Sequence, residues 1–254
     1  MTDKKDQWAL ITGALGGIGK ALVNEYVDAG YSVFALDVKT EGSECFNTEY
    51  VKFIQIDLEK VALDQTYSLE FYNKIKSISR EHPIHCLVNN AAVQILAPSN
   101  ELTREQWMTS LNVNLMAPFF LSQLFLSDLE KNFGSIVNIS SIHSTQTKSN
   151  FVAYATTKAA LSSLTRNMVL DLGSRIRINA IEPAAIATDM LKAGFVGKEG
   201  KYQELEAHHP IGRVGTPEEV AKLAVFLSSG EAGFVQGACI SASGGIGGCL
   251  SDPA

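Results

Sequence analysis

The stretch AYATTKAAL places Tyr154 four residues before Lys158, and FYNKIKS repeats the spacing with Tyr72 and Lys76. Residues i and i+4 share a helix face, so each pair sets a phenol beside an ammonium. Tyrosine is a poor base at neutral pH, since its unperturbed pKa is about 10. A neighbouring cation favours the phenolate. Lowering the pKa by about 3 units takes about 4 kcal/mol of differential stabilisation, within reach of two nearby cations. Spacing does not choose between the pairs; their settings do. Tyr72 and Lys76 share a polar amphipathic stretch with Glu70 and Lys74 and read as solvated surface. Tyr154 follows Ser141, which ends the apolar run SIVNISS. A hydroxyl there can hold a substrate oxygen as charge develops on it.

A second chemical signal lies near the N-terminus. ITGALGGIGKAL follows an apolar run and opens a helical pattern, with Gly13, Gly17 and Gly19 at G-x3-G-x-G spacing. A helix N-terminus carries free N–H groups and partial positive charge, which suit a pyrophosphate. Glycines let the backbone turn tightly and approach it. The loop residues Gly13, Leu15, Gly16, Gly17, Ile18 and Gly19 are therefore a candidate dinucleotide site, with GGIGG at 244–248 read as a plain turn because no helix follows it. Asp37 ends the second apolar run, roughly 20 residues past the loop, where a carboxylate can accept from the adenosine ribose and repel a 2′-phosphate. Gly16 and Val38 are uncharged, and Lys39 is the one nearby cation. NAD is expected over NADP.

The elements that must position these residues follow a simple rhythm. WALIT, SVFALD, VKFIQID, HCLVNN, SIVNIS, RINAIEP and ACISAS are short apolar or β-branched runs, several apolar nearly throughout, as in strands covered on both faces. Between them apolar residues recur at helical spacing, as with Ile18, Ala21, Leu22 and Tyr26, or Leu161, Leu164, Met168 and Leu172. This alternation predicts an α/β fold with a parallel sheet and helices on both sides. One segment breaks the rhythm, TDMLKAGFVGKEGKYQELEAHHPIG, whose part at 189–209 is expected to be a substrate lid loop.

Composition narrows the function classes. The 254 residues carry a net charge of −6, against the basic face that nucleic-acid binding needs. No apolar run approaches membrane-spanning length, and the polar MTDKKDQ start lacks a signal-peptide core. Cys45, Cys86, Cys239 and Cys249 form no CxxC, which favours reduced thiols and a cytoplasmic setting, and no His/Cys/carboxylate cluster suggests a metal.

Taken in order, TGALGGIG, NNAA at 89–92, NVNL at 112–115, IVNISS at 136–141, YATTK at 154–158, EPAAIATDM and PIGRVGTPEEVAKLAVFLSS resemble the motifs of the short-chain dehydrogenase/reductases, over essentially the whole chain. The resemblance implies a single-domain doubly wound Rossmann fold over 1–254 with seven parallel strands. It makes Tyr154 the acid/base, Lys158 its partner, Ser141 the substrate-oxygen anchor and Asn114 the fourth catalytic member, holding a water in a proton relay. It assigns Asn90 to the cofactor ribose, Asp57 and Leu58 to the adenine, and Ile186 and Thr188 to the nicotinamide carboxamide, with Ala91 and Pro183 beside the cofactor. The alternative for Asp57 is a strand-end cap. Gln94, Ile95, His143, Gln146 and Phe151 are candidate pocket residues, mixing polar and apolar groups. The resemblance also implies a homotetramer, paired through the helices carrying Asn114 and Tyr154. Three positions depart from the pattern: Ala92 and Ala184 stand where the family usually has Gly, and Ser243 where it usually has Asp. The expectation is an NAD(H)-dependent oxidoreductase for a secondary alcohol and ketone. Its rivals are an NADPH-dependent 3-oxoacyl-type carbonyl reductase and a redox-inactive nucleotide-binding sensor or scaffold.

Overall fold

The computed structural model describes residues 7–46, 48–80 and 82–249. Seven strands form one parallel sheet: β1 Trp8–Thr12, β2 Ser32–Asp37, β3 Val51–Gln55, β4 Ile84–Asn89, β5 Ser135–Ile139, β6 Arg177–Pro183 and β7 Cys239–Ala242. They run in the order β3-β2-β1-β4-β5-β6-β7, so the winding reverses between β1 and β4. Ligands of doubly wound sheets bind at the carboxyl ends of the strands beside such a reversal. Each strand matches an apolar run of the sequence to within one or two residues. The strands at the centre are buried on both faces, which is why they read as apolar throughout.

Helices cover both faces. Over one face lie α1 (Gly17–Asp28) and α10 (Pro217–Ser228), burying Leu22, Tyr26, Ala221, Ala224 and Leu227. The opposite face is packed by α2 (Leu58–Leu63), α3 (Gln65–Ile78), α5 (Ala117–Leu124), α6 (Leu126–Lys131) and the end of α7 (Val152–Leu172), through Phe71, Ile75, Leu121, Phe125, Leu129 and Leu172. Among the described residues no helix is long and apolar enough to cross a membrane.

Three stretches differ from the sequence reading. The helix expected to carry Asn114 is not one continuous helix. It runs as α4 (Arg104–Leu111), a π-helical turn at Asn112–Met116, then α5 and α6. The segment at 189–209 is not an irregular loop but holds two short helices, α8 (Asp189–Ala193) and α9 (Glu199–Ala207), the second built from the good helix formers of EGKYQELEA. Finally, Tyr72 and Lys76 are not solvated surface. Their side chains reach Asp128, 1% exposed on α6, with Tyr72 Oη donating at 3.0 Å and Lys76 Nζ at 2.6 Å. A carboxylate buried that deeply needs partners, and this pair of donors ties α3 to α6.

Candidate active site

The glycine loop and its neighbours form a tightly fitted cradle. Gly13 adopts φ +66°, and a Cβ there would lie 2.8 Å from Ala91 Cα. A Cβ on Gly19 would fall 1.9 Å from Gly13 O. The loop is strapped to the end of β4. Thr12 Oγ1 accepts from the Asn90 and Ala91 N–H groups, and Asn90 Nδ2 donates to Thr12 O and Gly13 O. Asn90, expected to touch a ribose, thus spends its amide protons on the loop itself. Gly16 caps α1 with no side-chain bond, and the first turn holds no acidic residue. The N-terminal N–H groups therefore face no competing carboxylate, and a dinucleotide phosphate fits here. Ile18 and Leu15 pack against the core beneath.

Asp37 lies beside this cradle. Its Oδ2 accepts from Leu15 N–H at 3.0 Å and its Oδ1 from Lys39 N–H at 3.1 Å, which locks the carboxylate against the loop. Asp57 caps α2, with Oδ1 accepting from the Glu59 and Lys60 N–H groups, so the capping role is realised whatever else Asp57 does. Leu58 is buried, 8% exposed, and packs in the core beneath. On the other side, the Thr188 side chain lies over the start of α1, where a Cβ on Gly17 would come within 2.7 Å of Thr188 Cγ2. Ile186 is buried and pairs with Gly215. Thr188 Oγ1 accepts from Leu191 N–H and so begins α8.

Ser141, Tyr154 and Lys158 converge at the carboxyl end of β5. Ser141 follows β5, is 6% exposed, and caps the short 3-10 turn Ile142–Ser144 by accepting from His143 N–H. Tyr154 and Lys158 sit one turn apart on α7. Burial pushes the Tyr154 phenol up, and its hydrogen bond with Ser141 pulls it partly back. This reverses the expected lowering. Lys158 is 2% exposed, and burial alone brings its ammonium down to about 7. Its Nζ donates to Ile139 O at 2.6 Å and stands 5.7 Å from the Tyr154 ring centroid. In this state the lysine serves the β5 carbonyl rather than the phenol.

Asn114 lies in the π-helical turn and is fully buried. Both its amide protons are engaged, with Val93 O and Thr157 Oγ1, and its Oδ1 accepts from Val93 N–H. The side chain braces Val93 against α7. Neither the π-helical turn nor this brace was read from the sequence; an Asn in a helix interior was the available signal.

The candidate pocket residues fall around Tyr154. His143 stacks on Phe151 with centroids 4.4 Å apart, and both rings meet Tyr154 edge-on at 5.8 and 6.1 Å. Burial and Lys148 hold the His143 imidazole below its ordinary value. Gln146 Nε2 donates to Gly247 O at 2.5 Å, joining this wall to the C-terminal segment. Gln94 is exposed and Ile95 half-buried on the strand of chain that Asn114 braces. His209 is buried, and its Nε2 has no hydrogen-bond partner among the described residues. The departures at Ala92, Ala184 and Ser243 carry no left-handed strain, since positive φ among described non-glycine residues occurs only at Arg80, Phe133 and Asn150. Pro183 ends β6, and Ala184 N–H donates to Ala242 O.

Comparison with known proteins agrees with this architecture. The family model described as Enoyl-(Acyl carrier protein) reductase matches residues 13–247. Among curated relatives, Protein FixR of Bradyrhizobium diazoefficiens is 35% identical over 247 residues, covering 93% of this chain and 85% of its own. The NAD-dependent glycerol dehydrogenase of Listeria innocua is 30% identical over 246 residues, covering 94% and 93%. Among solved structures, ligand-free aldohexose dehydrogenase of Thermoplasma acidophilum superposes with a TM-score of 0.89 at 30% identity, covering 100% of this chain and 98% of that one. A seven-stranded parallel sheet of this order, the glycine cradle, the Ser141–Tyr154–Lys158 cluster and relatives matched over nearly their whole length lead to one conclusion: the chain belongs to the short-chain dehydrogenase/reductase family.

Proposed function

We propose that this protein is an NAD(H)-dependent oxidoreductase that interconverts a secondary alcohol and a ketone, with cofactor and substrate held by one domain. The observation that carries the reading is the meeting of Tyr154, Ser141 and Lys158 at the end of β5, across from an uncapped helix N-terminus flanked by Asp37. When bound, the nicotinamide exchanges a hydride with the carbinol carbon; the rest falls to the protein. Ser141 Oγ holds the substrate oxygen, and Tyr154 Oη takes its proton during oxidation and returns it during reduction. Lys158 has a second partner within reach once a cofactor ribose or a phenolate competes with Ile139 O, and its charge then favours the phenolate. The 189–209 segment closes the pocket from the side of Thr188. Asp37 supports NAD, because its locked carboxylate presents negative charge where a 2′-phosphate would lie.

A screen of secondary alcohols with NAD and with NADP, following the reduced cofactor, tests both parts. NAD should be preferred, and Asp37→Ala should narrow the preference; better turnover with NADP in the unmodified protein would refute the cofactor assignment. Tyr154→Phe keeps the ring packed on His143 and Phe151 and removes only the hydroxyl. Activity should fall by ~10²–10⁴-fold while NAD affinity stays nearly constant. Near-full activity in that variant means another group moves the proton.

A further inference from the structure

Glu182 is a carboxylate in an unlikely place. It is the penultimate residue of β6, 8% exposed, and neither the glycine cradle nor the Tyr154 cluster needs a charge there. A buried carboxylate persists only when hydrogen bonds replace its water. Here Oε1 accepts two, from Ser144 Oγ and Ser162 Oγ, each at 2.7 Å. The donors belong to two different elements. Ser144 closes the turn that Ser141 opens, and its N–H donates to Ser141 O at 2.9 Å. Ser162 lies on α7, one turn beyond Lys158; its Oγ is 2.8 Å from Ser140 Oγ, which in turn donates to Lys158 O. One oxygen of Glu182 therefore joins β6, the Ser141 turn and the helix carrying Tyr154 and Lys158. The Cys239 thiol also faces it, and Arg166 contacts that thiol through Nη1 at 3.3 Å.

We propose that Glu182 is a positioning residue: through Ser144 it fixes the turn that holds Ser141 Oγ within hydrogen-bond reach of Tyr154. The inference rests on the oxidoreductase reading for its catalytic consequence, but not for its structural one. Besides Ser144, the turn is held by its own backbone, by the Ser141 cap and by the His143 ring stacked on Phe151, and residues 145–150 beyond it are exposed, tied back through Gln146 to Gly247. Loss of the Glu182 bond thus acts first on the turn. A displacement on the order of 1 Å at a substrate-orienting group costs about 10²-fold in rate.

The test compares the parent with Glu182→Gln, Glu182→Ala, Ser144→Ala and the Glu182→Ala/Ser144→Ala double variant. Three quantities are measured: turnover of an alcohol from the screen, NAD affinity, and backbone hydrogen exchange at His143–Gln146. Glu182→Ala and Ser144→Ala should each lower kcat by about 10- to 100-fold, with NAD affinity within about twofold. The double variant should be no worse than Glu182→Ala, because the bond that Ser144→Ala removes is already lost there. Glu182→Gln keeps an acceptor oxygen for both hydroxyls and should retain most of the activity. Exchange at 143–146 should rise about tenfold in both alanine variants, with β6 and α7 unchanged. A Glu182 that only staples the core would lower stability and loosen all three elements together, leaving kcat in Ser144→Ala at the parent value. That outcome, or unchanged exchange in the turn, overturns the proposal. Should Glu182→Ala not fold, Ser144→Ala decides alone. If the parent oxidises no alcohol with either cofactor, the functional reading fails, while the exchange measurement still settles the role of Glu182.

Discussion

At the scale of single residues, the most consequential one is a lysine that burial has half discharged. Lys158 titrates near 7 in the folded chain, against about 10.4 for an unfolded lysine. Between those values the unfolded state binds a proton that the folded state does not. Folding stability from this group therefore rises with pH across that window. Below pH 7 both states are protonated, and the folded protein bears the full cost of a buried ammonium. Lys158→Met should accordingly stabilise the cofactor-free protein by a few kcal/mol at pH 6, with the gain shrinking toward pH 10. The same variant should bind NAD more weakly. Urea unfolding of both proteins at pH 6 and pH 9 measures it, and equal differences at the two pH values would contradict the depressed pKa. This lysine was legible in AYATTKAAL as Tyr154's partner. Its bond to Ile139 O was not, because nothing in local spacing says which strand end lies beneath a helix. The same blindness misplaced Tyr72 and Lys76, whose amphipathic neighbours conceal a distant partner at Asp128.

At the scale of elements, the sequence was clearest where both faces of a segment are buried. All seven strands stood out as apolar runs, and the β1–α1 junction as a glycine loop, because those signals are local. The π-helical turn was invisible, since its cause is tertiary: Asn114 is drawn to Val93 and Thr157 rather than to its own helix. The helices of the 189–209 segment were missed because Gly194, Gly197 and Gly200 punctuate it; Gly197 takes φ +73° between α8 and α9. The loop-helix junction makes its own prediction. In Gly17→Ala the new methyl meets Thr188 at Cγ2 (2.7 Å) and Cβ (2.8 Å), whereas in Gly19→Ala it meets the backbone oxygen of Gly13 at 1.9 Å. Gly17→Ala should therefore lose less stability than Gly19→Ala and still fold, yet bind NAD at least about tenfold more weakly, a cost of about 1.4 kcal/mol. Gly19→Ala should lose stability outright. Thermal melts and cofactor titrations separate the two, and a Gly17→Ala protein with parental NAD affinity would remove Thr188 and the α1 N-terminus from the binding site.

At the scale of the whole molecule, two apolar regions among the described residues bear on assembly. The first lies where the 112–124 stretch meets α7, lined by Leu115, Met116, Phe119, Phe120, Ala160 and Leu164. The second, we propose, is made by Leu170, 81% exposed near the end of α7, and Phe234, fully exposed ahead of β7. Closed symmetric oligomers are built from self-complementary patches, and two distinct patches per chain produce a tetramer with three perpendicular twofold axes. One patch alone would stop at a dimer. We propose that copies of this chain cover both patches, which would give the homotetramer that the family resemblance implies, with the helices carrying Asn114 and Tyr154 at one of its interfaces. The link to function is direct, because α7 carries Tyr154 and Lys158 on one face and the first apolar groove on another. Phe119→Asp puts a charge in the first patch and should reduce the tetramer to dimers held by the second. Phe234→Asp should do the converse, and the double variant should be monomeric. Light scattering at micromolar concentration reads all four species. A monomeric parent would leave both patches unexplained and sink the assembly; a parent dimer broken by only one of the two substitutions would show that the other patch has no partner copy.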